Sequence, residues 1–120
     1  MHSLTFDYVD PDERIKLDNQ LQSELHNRFS IIKRSCETLR KWEKDTDPGV
    51  NLETAISHQL EPIKAEDDVG NKREFWLHIS ITDKDTFQFD IMEFEVGTGA
   101  NEWSLRHVAS VEVADEMLDG

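Results

Sequence analysis

The sequence predicts an α+β fold in which an antiparallel sheet packs on one long helix. Apolar residues alternate with polar residues near the N-terminus, recur every three or four positions over 11–45, and alternate again over 74–113. Alternation is typical of half-buried strands, and the longer period is typical of an amphipathic helix. The chain has 120 residues, which is the length of one domain, so we expect a single domain over 1–120.

The N-terminal strand is expected within residues 1–9, and the helix over 11–45 follows at once. The apolar side of the strand holds Leu4, Phe6 and Tyr8. Asp10 and Pro11 are typical of a helix start, because an aspartate side chain accepts hydrogen bonds from unpaired amides and proline needs no amide hydrogen there. We therefore expect the helix to begin directly after Asp10.

The helix carries one continuous apolar stripe. Its members are Leu17, Leu21, Leu25, Phe29, Ile32, Cys36 and Leu39. A straight helix over 11–45 would be about 52 Å long, whereas a domain of this length has a radius of gyration of about 14 Å. We therefore expect a bent helix that wraps the sheet, or a break near Asp18 and Asn19, since Ile15 also lies outside the stripe.

Residues 51–63 fit either a short helix or a strand, and the sequence leaves both open. Apolar residues in this segment fall at both helical and alternating spacings. Its alanine, glutamate, glutamine and leucine content slightly favours a short helix that ends at Pro62. A loop is predicted over 66–71, where acidic residues precede Gly70 and Asn71.

Residues 74–113 predict a three-stranded antiparallel meander. The buried side of the first strand is expected to hold Phe75, Leu77, Ile79 and Ile81. In the second strand the buried side is expected to hold Phe87, Phe89 and Ile91, and then Phe94 and Val96. That change of phase predicts a bulge near Met92. The third strand is expected to bury Trp103, Leu105, His107, Ala109, Val111 and Val113, and the acidic tail over 114–120 is expected to fray.

The hydrophobic pattern also predicts how the first two strands of the meander pair, because opposite residues of an antiparallel pair share a face. Burial of both apolar rows requires Ile81 to face Phe87, with a five-residue loop over 82–86. The expected partners are Ile79 with Phe89, Leu77 with Ile91, Ser80 with Gln88, His78 with Asp90, and Trp76 with Met92. We expect Glu93 and Glu95 to extend the face of Trp76 past the bulge.

The formal net charge of −13 is concentrated in the C-terminal part of the chain. Residues 1–45 hold nine acids and eight bases, whereas residues 46–120 hold seventeen acids and five bases. This balance disfavours binding to nucleic acid or to an anionic membrane, which attract basic surfaces. It favours a basic protein partner. A signal-peptide pattern and a long apolar run are both lacking, so we expect a cytoplasmic protein.

Residue patterns for catalysis or metal binding are weak in this sequence. Asp83 and Asp85 lie in a turn without the glycine and glutamate that a calcium loop requires. His78 with Asp90 would supply only half of a transition-metal site. Cys36 falls on the apolar stripe, where a buried, inert thiol is typical. We therefore expect no metal, no cofactor and no catalysis.

The order of a strand, a long helix and then antiparallel strands resembles the general layout of cystatin-like folds, in which a curved sheet wraps a helix. The resemblance concerns the arrangement of elements along the chain and rests on no shared motif. It implies nothing about function, because one fold supports many activities.

The residues favour a small, acidic, non-catalytic protein-binding module. The predicted binding residues are Trp76 and Met92 as apolar anchors, His78 and Asp90 as an orienting pair, and Asp83, Asp85, Glu93 and Glu95 as a charged rim. Anchors that are buried on binding supply affinity, and a charged rim supplies steering and specificity. An immunity protein that neutralises a toxin, or an inhibitor that mimics nucleic-acid charge, would need such a surface.

Three other interpretations remain open. Residues 52–63 could cover Trp76 and Met92 within the monomer. A small-ligand or enzymatic domain would hold its ligand between the helix and the curved sheet, in a pocket lined by Phe75, Phe87, Phe89 and Trp103. A homodimer could form through the face of Trp76 and Met92, with the acidic charge serving solubility.

Overall fold

A computed structural model describes residues 3–45, 60–66, 69–96 and 103–118. Its elements along the chain are β1 (Asp7–Tyr8), α1 (Asp12–Asn27), α2 (Phe29–Asp45), β2 (Ile63–Glu66), β3 (Lys72–Asp83), β4 (Thr86–Val96), β5 (Trp103–Ala114) and a 3₁₀ helix (Asp115–Leu118). The strands form one antiparallel sheet in the order β1-β5-β4-β3-β2. The predicted α+β class is confirmed.

The predicted long helix is divided into α1 and α2 at Arg28. The N–H of Arg28 donates to the carbonyls of Glu24 and Leu25, at 3.2 Å each. Its backbone departs from helical geometry, with φ of −103° and ψ of 11°. Helical hydrogen bonding resumes at once, because the N–H of Ile32 donates to the carbonyl of Arg28 at 2.9 Å.

The expected position of this interruption, near Asp18 and Asn19, is wrong, since both residues lie inside α1. That position was inferred because Ile15 falls outside the apolar stripe. Ile15 points to solvent and is 89% exposed, whereas Leu17 and Leu21 are fully buried. One exposed isoleucine therefore explains the irregular pattern without a break in the helix.

The N-terminal strand is shorter than predicted. β1 contains only Asp7 and Tyr8, which pair with Ser110 and Ala109 of β5. Leu4 is buried as expected, but both backbone groups of Leu4 bind the side chain of Gln22. The N–H of Leu4 donates to Oε1, and Nε2 donates to the carbonyl of Leu4. A helix side chain therefore replaces a neighbouring strand at this end of the sheet.

β2 is a strand that the sequence did not identify as such. The helix-or-strand question over 51–63 falls mostly on residues 51–59, which lie outside the described residues. β2 begins at Ile63, and it extends the sheet beyond β3, pairing Ile63 with Phe75 and Glu66 with Lys72. Glu66 belongs to β2, so the loop predicted over 66–71 is wrong at its first residue, and Gly70 adopts a positive φ of 85°.

The meander of β3, β4 and β5 is confirmed, and so is the predicted register of its first pair. Observed partners are Ile81 with Phe87, Ile79 with Phe89, Leu77 with Ile91, Ser80 with Gln88, His78 with Asp90, and Trp76 with Met92. The turn is tighter than the predicted five-residue loop. Asp83 already pairs with Thr86, and the register shifts between Ile81 and Asp83.

The irregularity near Met92 is confirmed, but the extra residue lies on β5. Ile91 pairs with Ala109 and Met92 with His107, which leaves Val108 as the additional residue. Side chains of β4 therefore alternate regularly between the two faces along the whole contact with β3. In β5 this alternation is interrupted at Val108. Three residues predicted to be buried consequently lie on the opposite face: Phe94, Leu105 and His107. The side chains of Val96 and Trp103 are outside the described part.

Both helices pack on one face of the sheet, which we call the helix-side face. The side chains that fill this core include Phe6, Leu17, Leu21, Leu25, Ile32, Leu39, Phe75, Ile79, Phe87 and Phe89. We call the opposite face the outer face. By register it carries Trp76, His78, Ser80, Gln88, Asp90, Met92, Phe94, Leu105, His107, Ser110 and Glu112.

The acidic tail is ordered through residue 118, so the expected fraying over 114–120 is wrong for this part. Leu118 is buried in the core. Asp115 accepts from Arg40 of α2, from Nε at 3.1 Å and from Nη2 at 2.9 Å. The N–H of Asp115 also donates to the carbonyl of Asp85 at 2.9 Å. An apolar anchor and an ion pair therefore hold the 3₁₀ helix in place.

Side chains of α1 reach both edges of the sheet. On the β2 edge, Gln20 donates to the carbonyl of Glu66 at 2.6 Å and accepts its N–H at 3.0 Å. Arg28 donates to the carbonyls of Glu61 and Pro62 beside it. On the β1 side, Gln22 and Arg14 bind the backbone of Leu4 and Phe6. Exposed strand edges invite pairing with other chains, and these contacts satisfy part of the backbone at or beside each edge.

Candidate protein-binding face

An apolar strip crosses three strands of the outer face. We define it as Trp76, Met92, Phe94 and Leu105. Trp76 pairs with Met92 across β3 and β4, and Phe94 pairs with Leu105 across β4 and β5. Neighbouring strands are about 4.8 Å apart, so these side chains adjoin one another. Leu105 is 47% exposed and the other three are partly exposed, which leaves apolar surface accessible in the described structure.

A carboxylate with polar neighbours lies next to the strip. Asp90 accepts from Nε2 of Gln88, which lies 3.0 Å from Oδ1 and 3.2 Å from Oδ2. Nε2 of His107 lies 3.0 Å from Oδ1 of Asp90, and Nδ1 of His78 lies 4.0 Å from Oδ2. We call Gln88, His78, Asp90 and His107 the Asp90 cluster. The pairing of the strands brings these side chains together, because His78 faces Asp90 directly and His107 is a diagonal neighbour of Asp90.

Several described segments outside the sheet pack on the helix-side face. Leu4 and Phe6 of the N-terminal segment, Leu60 before β2, and Leu118 of the 3₁₀ helix belong to the same core as the helices. The helices and these segments therefore lie on the side of the sheet opposite to the apolar strip. In one alternative, residues 52–63 cover the strip. Residues 52–59 lie outside the described residues, and Leu60 and Ile63 are buried in the core.

Glu93 does not lie on the outer face, and its predicted placement there is wrong. It faces Phe75 across β3 and β4 and is only 8% exposed. Arg73 donates to both of its oxygens at 2.6 Å, and Arg106 donates to Oε1 at 2.6 Å. Both arginines also donate to Oε1 of Glu13, at 2.9 and 3.0 Å. We call Glu13, Arg73, Glu93 and Arg106 the buried ion cluster.

The buried ion cluster compensates its own charges, since two carboxylates meet two guanidinium groups. Burial disfavours the charged form of Glu93, but hydrogen bonds from Arg73 and Arg106 outweigh it and hold the pKa of Glu93 below its ordinary value. Hydrogen bonding to Glu93 raises the pKa of both arginines. The second oxygen of Glu13, Oε2, is buried without a hydrogen bond in the described structure. The cluster joins α1 to three strands and offers no charge to a partner.

The other predicted rim residues are separated from the anchors. Asp83 and Asp85 flank Lys84 in the turn between β3 and β4 and are exposed. Trp76 and Asp83 lie seven residues apart on one strand, or about 23 Å. The predicted placement of Glu95 on the face of Trp76 is also wrong, because Glu95 alternates with Phe94 and shares the face of Glu93. Nε of Arg106 lies 3.0 Å from its Oε1, and half of its side chain is exposed. The structure therefore brings together Trp76, His78, Asp90 and Met92, and not the predicted rim.

The alternative pocket between helix and sheet is not supported by the aromatic residues that the structure describes there. The rings of Phe75, Phe87 and Phe89 are at most 1% exposed and pack in the core. A cavity of about 480 Å³ lies at the β2 edge, beside α1. It is an open groove lined by Gln20, Lys64, Ala65, Glu66, Lys72, Arg73 and Glu74.

Metal-binding groups and membrane-spanning helices are both lacking in the described part of the chain. Within it, no three side chains of His, Cys, Asp or Glu are grouped so that they could hold a metal ion. No helix there combines the length and the apolar character needed to cross a membrane. Comparison of the chain with protein-family models, curated proteins and solved structures found no match.

Sequence reasoning missed several residues of these two sites. His107, Phe94 and Leu105 were assigned to the buried side because the extra residue at Val108 was not located. Arg106 was missed for the same reason, whereas Arg73 carried a usable signal. Arg73 stands two positions before Phe75 in a buried row, and an arginine in such a row needs a carboxylate partner.

Proposed function

We propose that this protein is a non-catalytic binding module that holds a basic surface of another protein against its outer face. The apolar strip carries the proposal, because it lies beside the carboxylate of Asp90 on the face of the sheet opposite to the helices. Large apolar side chains provide most of the energy at protein interfaces, and neighbouring charges provide orientation and specificity. Trp76 and Met92 are the proposed anchors.

Charge supports a basic partner over a second copy of this chain. Two copies, each with a formal charge of −13, would repel one another on approach. The outer face itself carries acids near the strip. By register these are Asp7, Asp90 and Glu112, together with Glu74, which faces Lys64 across β2 and β3. A basic partner would be attracted over a distance of about one Debye length, which is roughly 8 Å at physiological salt.

The proposal extends to the biological role. A small acidic protein without chemistry of its own suits stoichiometric neutralisation of a basic toxin or of a nucleic-acid-binding enzyme. We place this role in the cytoplasm as part of the same proposal, and the cystatin-like layout is likewise proposed for the fold. Asp83 and Asp85, at the far end of β3, would serve long-range steering and not direct contact.

A second candidate is small-ligand binding in the groove between α1 and β2. Its volume of about 480 Å³ falls within the range of small-molecule sites. Three of the five bases in residues 46–120 line it: Lys64, Lys72 and Arg73. However, Lys64 faces Glu74 and Lys72 faces Glu66 across the strand pair, which compensates their charges. The outer face is therefore the better supported site.

The test is affinity capture from native-host lysate at low salt, with three baits. The Trp76→Ser and Leu105→Ser variants remove apolar contact area from the strip. Ile15→Ser is the matched control, because it removes an exposed apolar side chain from α1 on the other side of the molecule. We expect a basic protein that is captured by the wild type and by Ile15→Ser, that is lost with both strip variants, and that is released by added salt. Capture that does not depend on the strip would overturn the proposal.

A further inference from the structure

Within the proposed binding face, we infer that Asp90 holds a lysine or arginine side chain of the partner, and that His78 and His107 release it on mild acidification. The inference rests on the proposed function, because it names the partner's chemistry and the regulation of the same face. It is carried by the arrangement of the Asp90 cluster.

Asp90 differs from Glu93 in how its charge is compensated. Glu93 is bound by two guanidinium groups, whereas the ion-pair partners of Asp90 in the described structure are both histidines. With neutral imidazoles the Asp90 cluster keeps one full negative charge. The Asp90 side chain is 15% exposed, so this charge is only partly solvated. A carboxylate in that situation is stabilised by an incoming cation.

One oxygen of Asp90 keeps capacity to accept from a cation. Among the described residues, Oδ1 is contacted by Gln88 and His107, whereas Oδ2 has the amide of Gln88 at 3.2 Å and His78 at 4.0 Å. A carboxylate oxygen can accept more than one hydrogen bond. Trp76 is the diagonal neighbour of Asp90 across β3 and β4, so a guanidinium bound at Oδ2 can also lie over the indole ring.

The groups that face Asp90 from each strand determine the effect of acid. β3 contributes His78, with Trp76 and Ser80 beside it, and β5 contributes Ser110, with His107 and Glu112 diagonal to Asp90. β4 itself contributes Gln88 and Met92, and β1 contributes Asp7, opposite Ser110. Histidines are therefore the titratable bases nearest to Asp90 within the described residues, and the remaining charged neighbours are acids.

Protonation of the histidines reverses the charge of the Asp90 cluster. Histidine is the side chain whose charge ordinarily changes between about pH 5 and pH 8. Two imidazolium groups would change the sum over His78, Asp90 and His107 from −1 to +1. The cluster would then satisfy Asp90 internally and repel the partner's cation. Binding at this point is therefore strong near neutral pH and weak in mild acid.

The experiment uses an oligo-arginine peptide as the probe and isotope-labelled full-length protein, followed by NMR at low salt. At about pH 7.5 we expect the largest shifts at the Trp76 indole and at the amides of 88–92. At about pH 5.5 we expect affinity to fall by about three- to tenfold, as imidazolium replaces the bound cation.

Three variants separate this mechanism from general charge attraction. Asp90→Asn is expected to bind weakly at both pH values. His78→Gln together with His107→Gln is expected to bind as well in mild acid as at neutral pH, because glutamine does not titrate. Asp85→Asn is the matched control: it removes the same charge from the exposed turn and is expected to keep the pH effect.

The outcomes distinguish the two proposals. Shifts at the outer face with equal affinity at both pH values, or a pH effect that persists in the double histidine variant, would overturn the inference and leave the binding function standing. Equal behaviour of Asp90→Asn and Asp85→Asn would do the same. Peptide binding confined to the turn at Asp83 and Asp85, or no binding at all, would overturn both proposals.

Discussion

Arg73 donates to both carboxylate oxygens of Glu93, from Nε to Oε2 and from Nη2 to Oε1, each at 2.6 Å. The planar guanidinium matches two carboxylate oxygens at once, which makes such a pair both strong and specific in orientation. Because Arg73 also reaches Glu13 of α1, this contact joins the start of the helix to the sheet. A partly buried pair of this kind is costly to break.

Glu93→Gln should lower the free energy of unfolding by about 2–4 kcal/mol, because Arg73 and Arg106 then remain with less compensating charge in a buried site. Glu95→Gln is the control. Its carboxylate also lies near Arg106, but half of the Glu95 side chain is exposed, so its loss should cost at most about 1 kcal/mol. Urea unfolding followed by circular dichroism measures both. Equal effects of the two variants would contradict the importance of burial.

The contribution of Glu93 should depend on pH. Burial alone would raise the pKa of Glu93, but the two arginines lower it overall, so the folded state binds the proton less readily than the unfolded chain. Its stabilisation is therefore complete above the unfolded pKa, which is about 4.3, and is lost as the pH falls through the lower folded value. The stability difference between wild type and Glu93→Gln should shrink between about pH 6 and pH 3. A constant difference would argue against this coupling.

Arg40→Ala should destabilise the protein by about 2–3 kcal/mol. Arg40 holds Asp115 with two hydrogen bonds, donates to the carbonyl of Thr86 at 3.0 Å, and lies 4.4 Å from the centre of the Phe87 ring. Arg34→Ala, on the exposed side of the same helix, should change stability by less than about 0.5 kcal/mol. Thermal unfolding of the two variants tests this. Similar melting temperatures would show that Arg40 is not an anchor.

Gln20→Ala should increase self-association. The Gln20 amide satisfies both the N–H and the carbonyl of Glu66, so its removal exposes a strand edge that can pair with another chain. Asn19→Ala is the control: it changes an exposed neighbouring residue on α1 and should not change self-association. Light scattering over a concentration series gives the comparison. If both variants keep the mass of the wild type, Gln20 does not protect the edge.

Cys36 should be unreactive in the folded protein. It is 1% exposed, and its burial, with a smaller effect from the charge of Asp115, raises its pKa to about 12. The thiolate, which is the reactive form, is therefore scarce at about pH 8. A thiol-specific reagent should label Cys36 only slowly in native buffer and rapidly in denaturant. Equal rates in the two conditions would contradict its burial.

Short-range patterns predicted much of this fold. The alternation of Ile79 and Phe89 with their neighbours was enough to predict the register of β3 and β4, because a slip of one residue would expose both apolar rows. The stripe from Leu17 to Leu39 likewise identified the buried side of the helices. In both cases one periodic signal determines which side chains are buried.

The position of the bulge and the buried ion cluster could not be predicted, because they depend on pairings between distant residues that no short sequence pattern shows. A change of phase in β4 is compatible with an extra residue on either strand of the pair, and the sequence alone does not say that it is Val108. The buried ion cluster is harder still, since Glu13 and Arg106 stand 93 residues apart. Glu93 could be assigned to the wrong face because its partners, Arg73 and Arg106, come from two other strands.

Val108 is the residue that lets β5 take part in both sites. Before it, Arg106 turns towards the helices while His107 turns away from them; after it, Ala109 again faces the helices. If Val108 were an ordinary member of the ladder, strict alternation back from Ala109 would carry His107 into the hydrophobic interior and Arg106 to solvent. One irregular backbone position therefore separates a working arrangement from one that loses both sites.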